Sequence, residues 1–226
     1  LDFFFVSLRT NRITQNNIFM FYQKIAPAEA ESIKKAFDKC KNVVICTHTS
    51  PDGDAIGSSL GLWLYLKSLG KNPTVIVPNY FPDFLHWMEG ADKIIQYDRN
   101  RTLSKAIISS ADLVCCLDFN ALDRIEDLAT PLRYSKAKKV MIDHHLNPEK
   151  FCDITISRPD SSSTCELLFR VISAIGGTDR IKRAGAECIY AGMCTDTGGF
   201  TYNSNDPDIF VIISELMRKG IDKDLI

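Results

Sequence analysis

Apolar residues along this chain follow two rhythms. Four short runs show no alternation: Val43-Val44-Ile45-Cys46, Thr74-Val75-Ile76-Val77, Leu113-Val114-Cys115-Cys116-Leu117 and Val140-Met141-Ile142 after Lys139. Such runs predict strands buried on both faces, as in a parallel sheet. Lys93–Tyr97 and Ile154-Thr155-Ile156 predict two further short strands. Between them the apolar spacing becomes helical. Ala30, Ile33, Ala36 and Phe37 line one face of Pro27–Lys39, and Ile56, Leu60, Trp63 and Leu64 begin a helix that Gly70 would close. Leu103–Ser109 predicts a short helix, and Leu167, Leu168, Val171 and Ile175 a longer one ending at Gly176. A helix from about Ile181 leads to Asp196, and a last one follows the cap pair Asp206-Pro207 through Phe210, Ile213 and Met217. Strands alternating with helices predict an α/β fold, a mostly parallel central sheet with helices on both faces.

Composition narrows the function classes. The 226 residues suit one large domain, taken as 27–226, preceded by an extension at 1–26. Leu1 is no initiator, Met20 is a candidate start, and the extension is assigned no function. A net charge of −1 carries no basic surplus for long nucleic acid, so any nucleic-acid substrate should be short. Among eight cysteines none forms a Cys-x-x-Cys pair, so Cys46, Cys115, Cys116, Cys165, Cys188 and Cys194 are expected as free, buried thiols in a reducing cytoplasm. No apolar stretch approaches the ~20 residues of a membrane span, which argues against a membrane partner.

The candidate chemistry lies at the ends of the strand-like runs. His48-Thr49-Ser50-Pro51-Asp52-Gly53-Asp54 follows the first run and opens a helix. One imidazole and two carboxylates in seven residues repel or desolvate at a cost unless a cation sits among them. The first helical turn, around Ala55–Ser58, could also offer backbone N–H groups to a phosphate, and the alternative to a ligand site is an Asp-rich turn with Asp54 as a simple helix N-cap. The third run delivers Asp118, and the fourth delivers Asp143-His144-His145, with Asn147-Pro148 as a turn. Asp196 precedes a Gly-rich loop. Ser163 and Glu166 have capping-box spacing, with Ser163 either a cap or a phosphate contact. His86 has no partner at ligand spacing and is expected to pack or lie at the surface. Six side chains could converge: His48, Asp52, Asp54, Asp118, His144 and Asp196. Oxygen-rich ligation with imidazole and without thiolate favours Mn²⁺ or Mg²⁺ over structural zinc.

In order along the chain, the His-x-x-x-Asp-x-Asp turn, the strand-end aspartate, the Asp-His-His triplet and Asp196-Thr197-Gly198 resemble the DHH phosphoesterases, from about Lys41 to Phe200. The wording His-x-x-Pro-Asp-Gly-Asp-Ala-Ile-Gly-Ser is similar to the nanoRNases that also act as phosphatases of 3′-phosphoadenosine 5′-phosphate (pAp). The resemblance implies a hydrolase with two divalent cations, most often Mn²⁺, with Mg²⁺ or Co²⁺ as substitutes. His48, Asp52 and Asp118 would hold one, and Asp54, Asp118, His144 and Asp196 the other. His145 would face the scissile phosphate, Asp143 would orient the paired histidines, and metal-activated water would attack in line, with the metals ~3.5–4 Å apart. Catalytic roles thus fall to His145, Asp143 and Asp118, and substrate contacts to His145 and Ser163. Very short oligonucleotides and pAp are the implied substrates, and a homodimer is a candidate assembly. Cleavage of cyclic or linear dinucleotides is the neighbouring activity, inorganic pyrophosphatase a more distant one, and a non-catalytic nucleotide-binding module the rival from another class. Two features depart from the family pattern. The second, substrate-binding lobe expected after this domain does not occur before Ile226, and Thr201-Tyr202-Asn203 stands where many relatives carry an arginine.

Overall fold

The structure is a computed structural model that describes residues 24–226. Of the expected extension, residues 1–23, including Met20, lie outside the described residues, whereas Ile25 is buried in the core. The elements run α1 (Pro27–Lys39), β1 (Asn42–Cys46), α2 (Gly53–Ser68), β2 (Asn72–Val77), β3 (Ile95–Gln96), α3 (Arg101–Ser109) and β4 (Leu113–Leu117). They continue with α4 (Ala129–Tyr134), β5 (Lys138–Asp143), β6 (Ile154–Ser157), α5 (Thr164–Ala174), α6 (Arg183–Asp196) and α7 (Pro207–Arg218). Between Asp118 and Lys139, where the apolar pattern predicts no element, lie a 3-10 segment at Leu122–Leu128 and α4.

The six strands pair in the order β3-β2-β1-β4-β5-β6, parallel throughout, as the unalternating runs predict. Strands β1, β2, β4 and β5 divide their side chains between two cores. Val43, Ile45, Leu113, Cys115, Val140 and Ile142 face α1, α2, α5, α6 and α7. Val44, Cys46, Val114, Cys116 and Met141 face the other way, against Ile108, Leu122, Ile125 and Leu132. Helices therefore cover both faces. From β1 the chain first builds outward to β2 and β3, then returns to β4 on the other side of β1. The carboxyl ends of β1 and β4 thus flank the point where strand order reverses, which is where open α/β sheets hold their ligands. The pairing Cys46↔Cys116 fixes the two ends level with each other.

Helix α2 is buried almost all round and packs closely on α6. Gly57 permits that approach, because a Cβ there would lie 2.5 Å from the Cys188 carbonyl oxygen. At Gly192 an added Cβ would meet Cys165 Sγ at 2.3 Å and the Asp54 Cα at 3.0 Å. Small residues thus hold Asp54 on α2 near the end of α6. Gly57→Ala should destabilise the protein by ~1–3 kcal/mol through overpacking, read from chemical denaturation midpoints. A change below about 0.5 kcal/mol would mean the helices part without cost.

Candidate metal centre

Each candidate ligand comes from the end of a strand or helix. After β1 the backbone turns at Ser50, whose N–H donates to Asn79 Oδ1 at 2.7 Å, and reaches Asp52 in an extended conformation. Asp52 caps α2, with Oδ1 accepting from Asp54 N and Ala55 N at 3.0 Å each. The cap is therefore Asp52 and not Asp54, and these first N–H groups are already engaged instead of open to a phosphate. Asp54 is wholly buried one residue into the helix. Its Oδ2 accepts from Thr164 N at 2.6 Å and its Oδ1 from Cys165 N at 2.8 Å, so the amino end of α5 stabilises its charge. Asp118 follows β4 directly, at φ 61°, with its N–H on the Ile142 carbonyl. That left-handed backbone is uncommon for a residue with a side chain. Asp143 ends β5, and Asp196 is the last residue of α6.

Hydrogen bonds settle how the imidazoles are presented. His48 Nδ1 lies 2.8 Å from the Thr49 carbonyl and His144 Nδ1 3.2 Å from the Ser161 carbonyl. A carbonyl only accepts, so both Nδ1 atoms carry the proton and both Nε2 atoms are left to ligate. His48 Nε2 is 3.3 Å from Asp118 Oδ2 and 3.9 Å from Asp52 Oδ1. His144 Nε2 is 3.2 Å from Asp196 Oδ2, 3.6 Å from Asp118 Oδ1 and 4.0 Å from Asp54 Oδ2. His145 Nδ1 donates to Asp143 Oδ1 at 2.8 Å, while Asp143 Oδ2 accepts His145 N at 2.9 Å. Asp143 thus orients His145, whereas His144 takes its orienting bond from Ser161. Three sets of ligand atoms lie within 4.8 Å of one another: His48, Asp52 and Asp118; Asp54, His144 and Asp196; Asp118, His144 and His145.

The electrostatics fit a cation. Burial, together with Asp118 and Asp196, pushes Asp54 well above the usual carboxylate range. Burial also raises Asp196, against the lowering effect of its His144 bond. Burial works upward on Asp118 too, but the bond from His48 and the charges of His48, His144 and His145 hold it low. Burial works downward on His144, and the Asp196 bond with the charges of Asp54, Asp118 and Asp196 carries it up to about 10. Protons on the imidazoles are balancing carboxylates that a metal ion would balance instead. The set fits a hard divalent ion, since the donors are carboxylate oxygens and imidazole nitrogens.

Other sequence-level candidates have separate places. Ser163 is wholly buried as the N-cap of α5, its hydroxyl accepting Glu166 N at 3.0 Å, so the geometry supports the cap reading. Only half the capping box forms, because the Glu166 carboxylate accepts from Ser162 N at 2.6 Å and Ser162 Oγ at 2.8 Å instead. His86 stacks on Phe81 at 4.6 Å. All eight cysteines are free. Thr164 was not anticipated, yet its hydroxyl donates to Asp118 Oδ1 at 2.9 Å.

The family described as "DHH family, N-terminal domain" matches residues 42–193. The chain belongs to the DHH family. Among its relatives in that family, the bifunctional oligoribonuclease and PAP phosphatase NrnA of Thermus thermophilus is 29% identical over 185 residues, 79% of this chain and 50% of that protein. The cyclic-di-AMP phosphodiesterase GdpP of Bacillus subtilis is 26% identical over 87% of this chain and 31% of its own. An exopolyphosphatase-related protein from Bacteroides fragilis has a crystal structure that superposes with a TM-score of 0.89 at 55% identity, covering 89% of this chain and 59% of that one. A manganese-bound exonuclease RecJ shares the fold, with a TM-score of 0.52 at 14% identity over 85% of this chain and 47% of its own. The chain spans about half the length of the NrnA relatives it matches. Among the described residues, no helix is long and apolar enough to cross a membrane.

Proposed function

We propose that this DHH-family chain carries the metal centre of a phosphohydrolase that acts on very short oligonucleotides and on pAp. The observation behind this reading is the convergence of His48, Asp52, Asp54, Asp118, His144 and Asp196 at the carboxyl edge of β1, β4 and β5. His48, Asp52 and Asp118 would hold one divalent cation, and Asp54, Asp118, His144 and Asp196 a second, with Asp118 shared. Bound there, such ions supply Lewis-acid stabilisation of phosphoryl oxygens and make water a nucleophile near neutral pH. Manganese is the proposed ion, in line with the donor set and with the manganese of the RecJ neighbour. Asp143 holds His145 through two bonds; with Nδ1–H on Asp143, the other ring nitrogen, Nε2, would donate to a phosphate oxygen when the ring carries a second proton. The low net charge favours a small substrate, and eight free thiols suit a reducing compartment. The likeness to NrnA supports the substrate class, and the likeness to GdpP keeps cyclic and linear dinucleotides as the second reading.

The test is release of phosphate and mononucleotide from pAp, a dinucleotide and cyclic di-AMP, with Mn²⁺ and after chelation. Turnover of pAp or the dinucleotide that chelation abolishes and Mn²⁺ restores is expected. Turnover of cyclic di-AMP alone would move the chain to the second reading, and Mn²⁺ binding without turnover of any substrate would make it a binding module.

A further inference from the structure

Behind the centre, the segment Ser161–Cys165 touches three of the proposed ligands. The Ser161 carbonyl accepts from His144 Nδ1, Thr164 N and Cys165 N hold Asp54, and Thr164 Oγ1 donates to Asp118. Its backbone is fastened from the far side by one buried carboxylate. Glu166 accepts Ser162 N and Ser162 Oγ on Oε2, and Arg170 Nε on Oε1 at 2.6 Å. Both Glu166 and Arg170 are fully buried. Arg170 is fixed in turn by Asp206 Oδ2 at 3.1 Å, at the cap of α7, and Lys24 Nζ lies 3.6 Å from Glu166 Oε1.

We infer that Glu166, clamped by Arg170, is a positioning residue that sets the geometry of the Asp54–His144–Asp196 position. It bonds to none of the ligands and acts through the Ser161–Cys165 segment, by way of Ser162 N and Ser162 Oγ. The inference rests on the proposed metal centre. Of that position's four groups, Asp54, His144 and Asp118 are bonded by this segment, whereas the other position meets it only through the shared Asp118, His48 and Asp52 bonding to neither Glu166 nor the segment. A buried charge pair of this kind is weak support for stability as such, and what this one visibly does is hold Ser162 in place. Losing a partner that orients metal ligands typically weakens affinity by ~10–100-fold.

The experiment is Mn²⁺ titration of the 226-residue chain, followed by the spin-resonance signal of free ion, in wild type and Glu166→Gln. It is paired with the ¹H–¹⁵N signal of the His144 Nδ1–H in metal-free protein. In Glu166→Gln one class of site should weaken ~10-fold or more, the other should hold within ~2-fold, and the His144 signal should shift while that of His48 stays. In an Asp196→Asn background, where the affected position is already impaired, Glu166→Gln should leave the remaining class within ~2-fold. Ser162→Ala removes only the 2.8 Å hydroxyl bond and should weaken the same class about threefold, which keeps the test open if Glu166→Gln does not fold. Equal weakening of both classes, or unchanged affinity and His144 signal in folded variants, would overturn the inference while leaving the metal centre standing. Absence of Mn²⁺ binding in wild type would instead remove the centre and this inference with it.

Discussion

Asp118→Asn should abolish metal-dependent hydrolysis while leaving the fold intact. Asp118 belongs to two of the three ligand sets, and its two oxygens face different histidines, Oδ2 toward His48 and Oδ1 toward His144. Asparagine has the same shape and keeps an acceptor for Thr164 Oγ1, so the buried contacts survive. The negative charge does not survive, and neither does the capacity to serve both cation positions. Several kcal/mol of transition-state stabilisation would be lost, which corresponds to a fall of ~10³-fold or more in turnover. The check is the initial rate on pAp at saturating Mn²⁺, beside a far-ultraviolet circular dichroism spectrum for the fold. A rate within about tenfold of wild type would take Asp118 out of the reaction.

The second large effect is on stability, and its sign comes from the protonation of the metal-free centre. His144 rises from 6.5 to about 10, His48 also rises, and Asp54 and Asp196 rise from 3.8. A raised value means that the folded protein binds protons the unfolded chain has released, so stability is lost as pH climbs through the window between the two values. Asp118 is lowered and has the opposite sign, but its contribution is lost only as pH falls below 3.8, outside that window. The melting temperature of metal-free protein should therefore fall between pH 6.5 and about 10, the window over which His144 releases its proton. Mn²⁺ must displace the Nε2 protons of both histidines, so its affinity, and with it the stabilisation it confers, grows as pH rises. Melting curves with Mn²⁺ and with a chelator, at about pH 6.5 and about pH 8, should show the gap widening at the higher value. A gap independent of pH would mean that His48 and His144 do not exchange protons for metal.

Much of the fold and the centre was legible in the sequence because it is local. The period-3.6 stripe of Pro27–Lys39 and the unbroken run Leu113–Leu117 match α1 and β4 residue for residue. The acids and histidines at strand ends were legible for the same reason, since parallel strands deliver their next residues to one edge of the sheet. The features that escaped notice depend on partners far away in the chain. Arg170 sits in an apolar helical stretch at i,i+4 spacing from Glu166, but nothing near it signals that Asp206, 36 residues further along the chain, completes the clamp. The orienting group of His144 is a backbone carbonyl, which no residue type advertises. Asp52 and Asp54 are equally good capping residues on paper, and only the extended backbone at Asp52 decides between them. The turn at Leu122–Leu128 has no regular period, and its backbone reverses at Glu126 with φ 47°.

The reversal of strand order between β1 and β4 also divides the centre by folding unit. The β1–β2–β3 half carries His48, Asp52 and Asp54; Asp118, His144, His145 and Asp196 arrive with the chain from β4 onward. Each of the two proposed cation positions draws ligands from both halves. A collapsed intermediate with only one half formed would complete neither position, and the ions would be captured tightly only as the two halves zip together along β1 and β4. Metal uptake during refolding would then clock the docking of those halves, a late and non-local event that secondary-structure probes would miss.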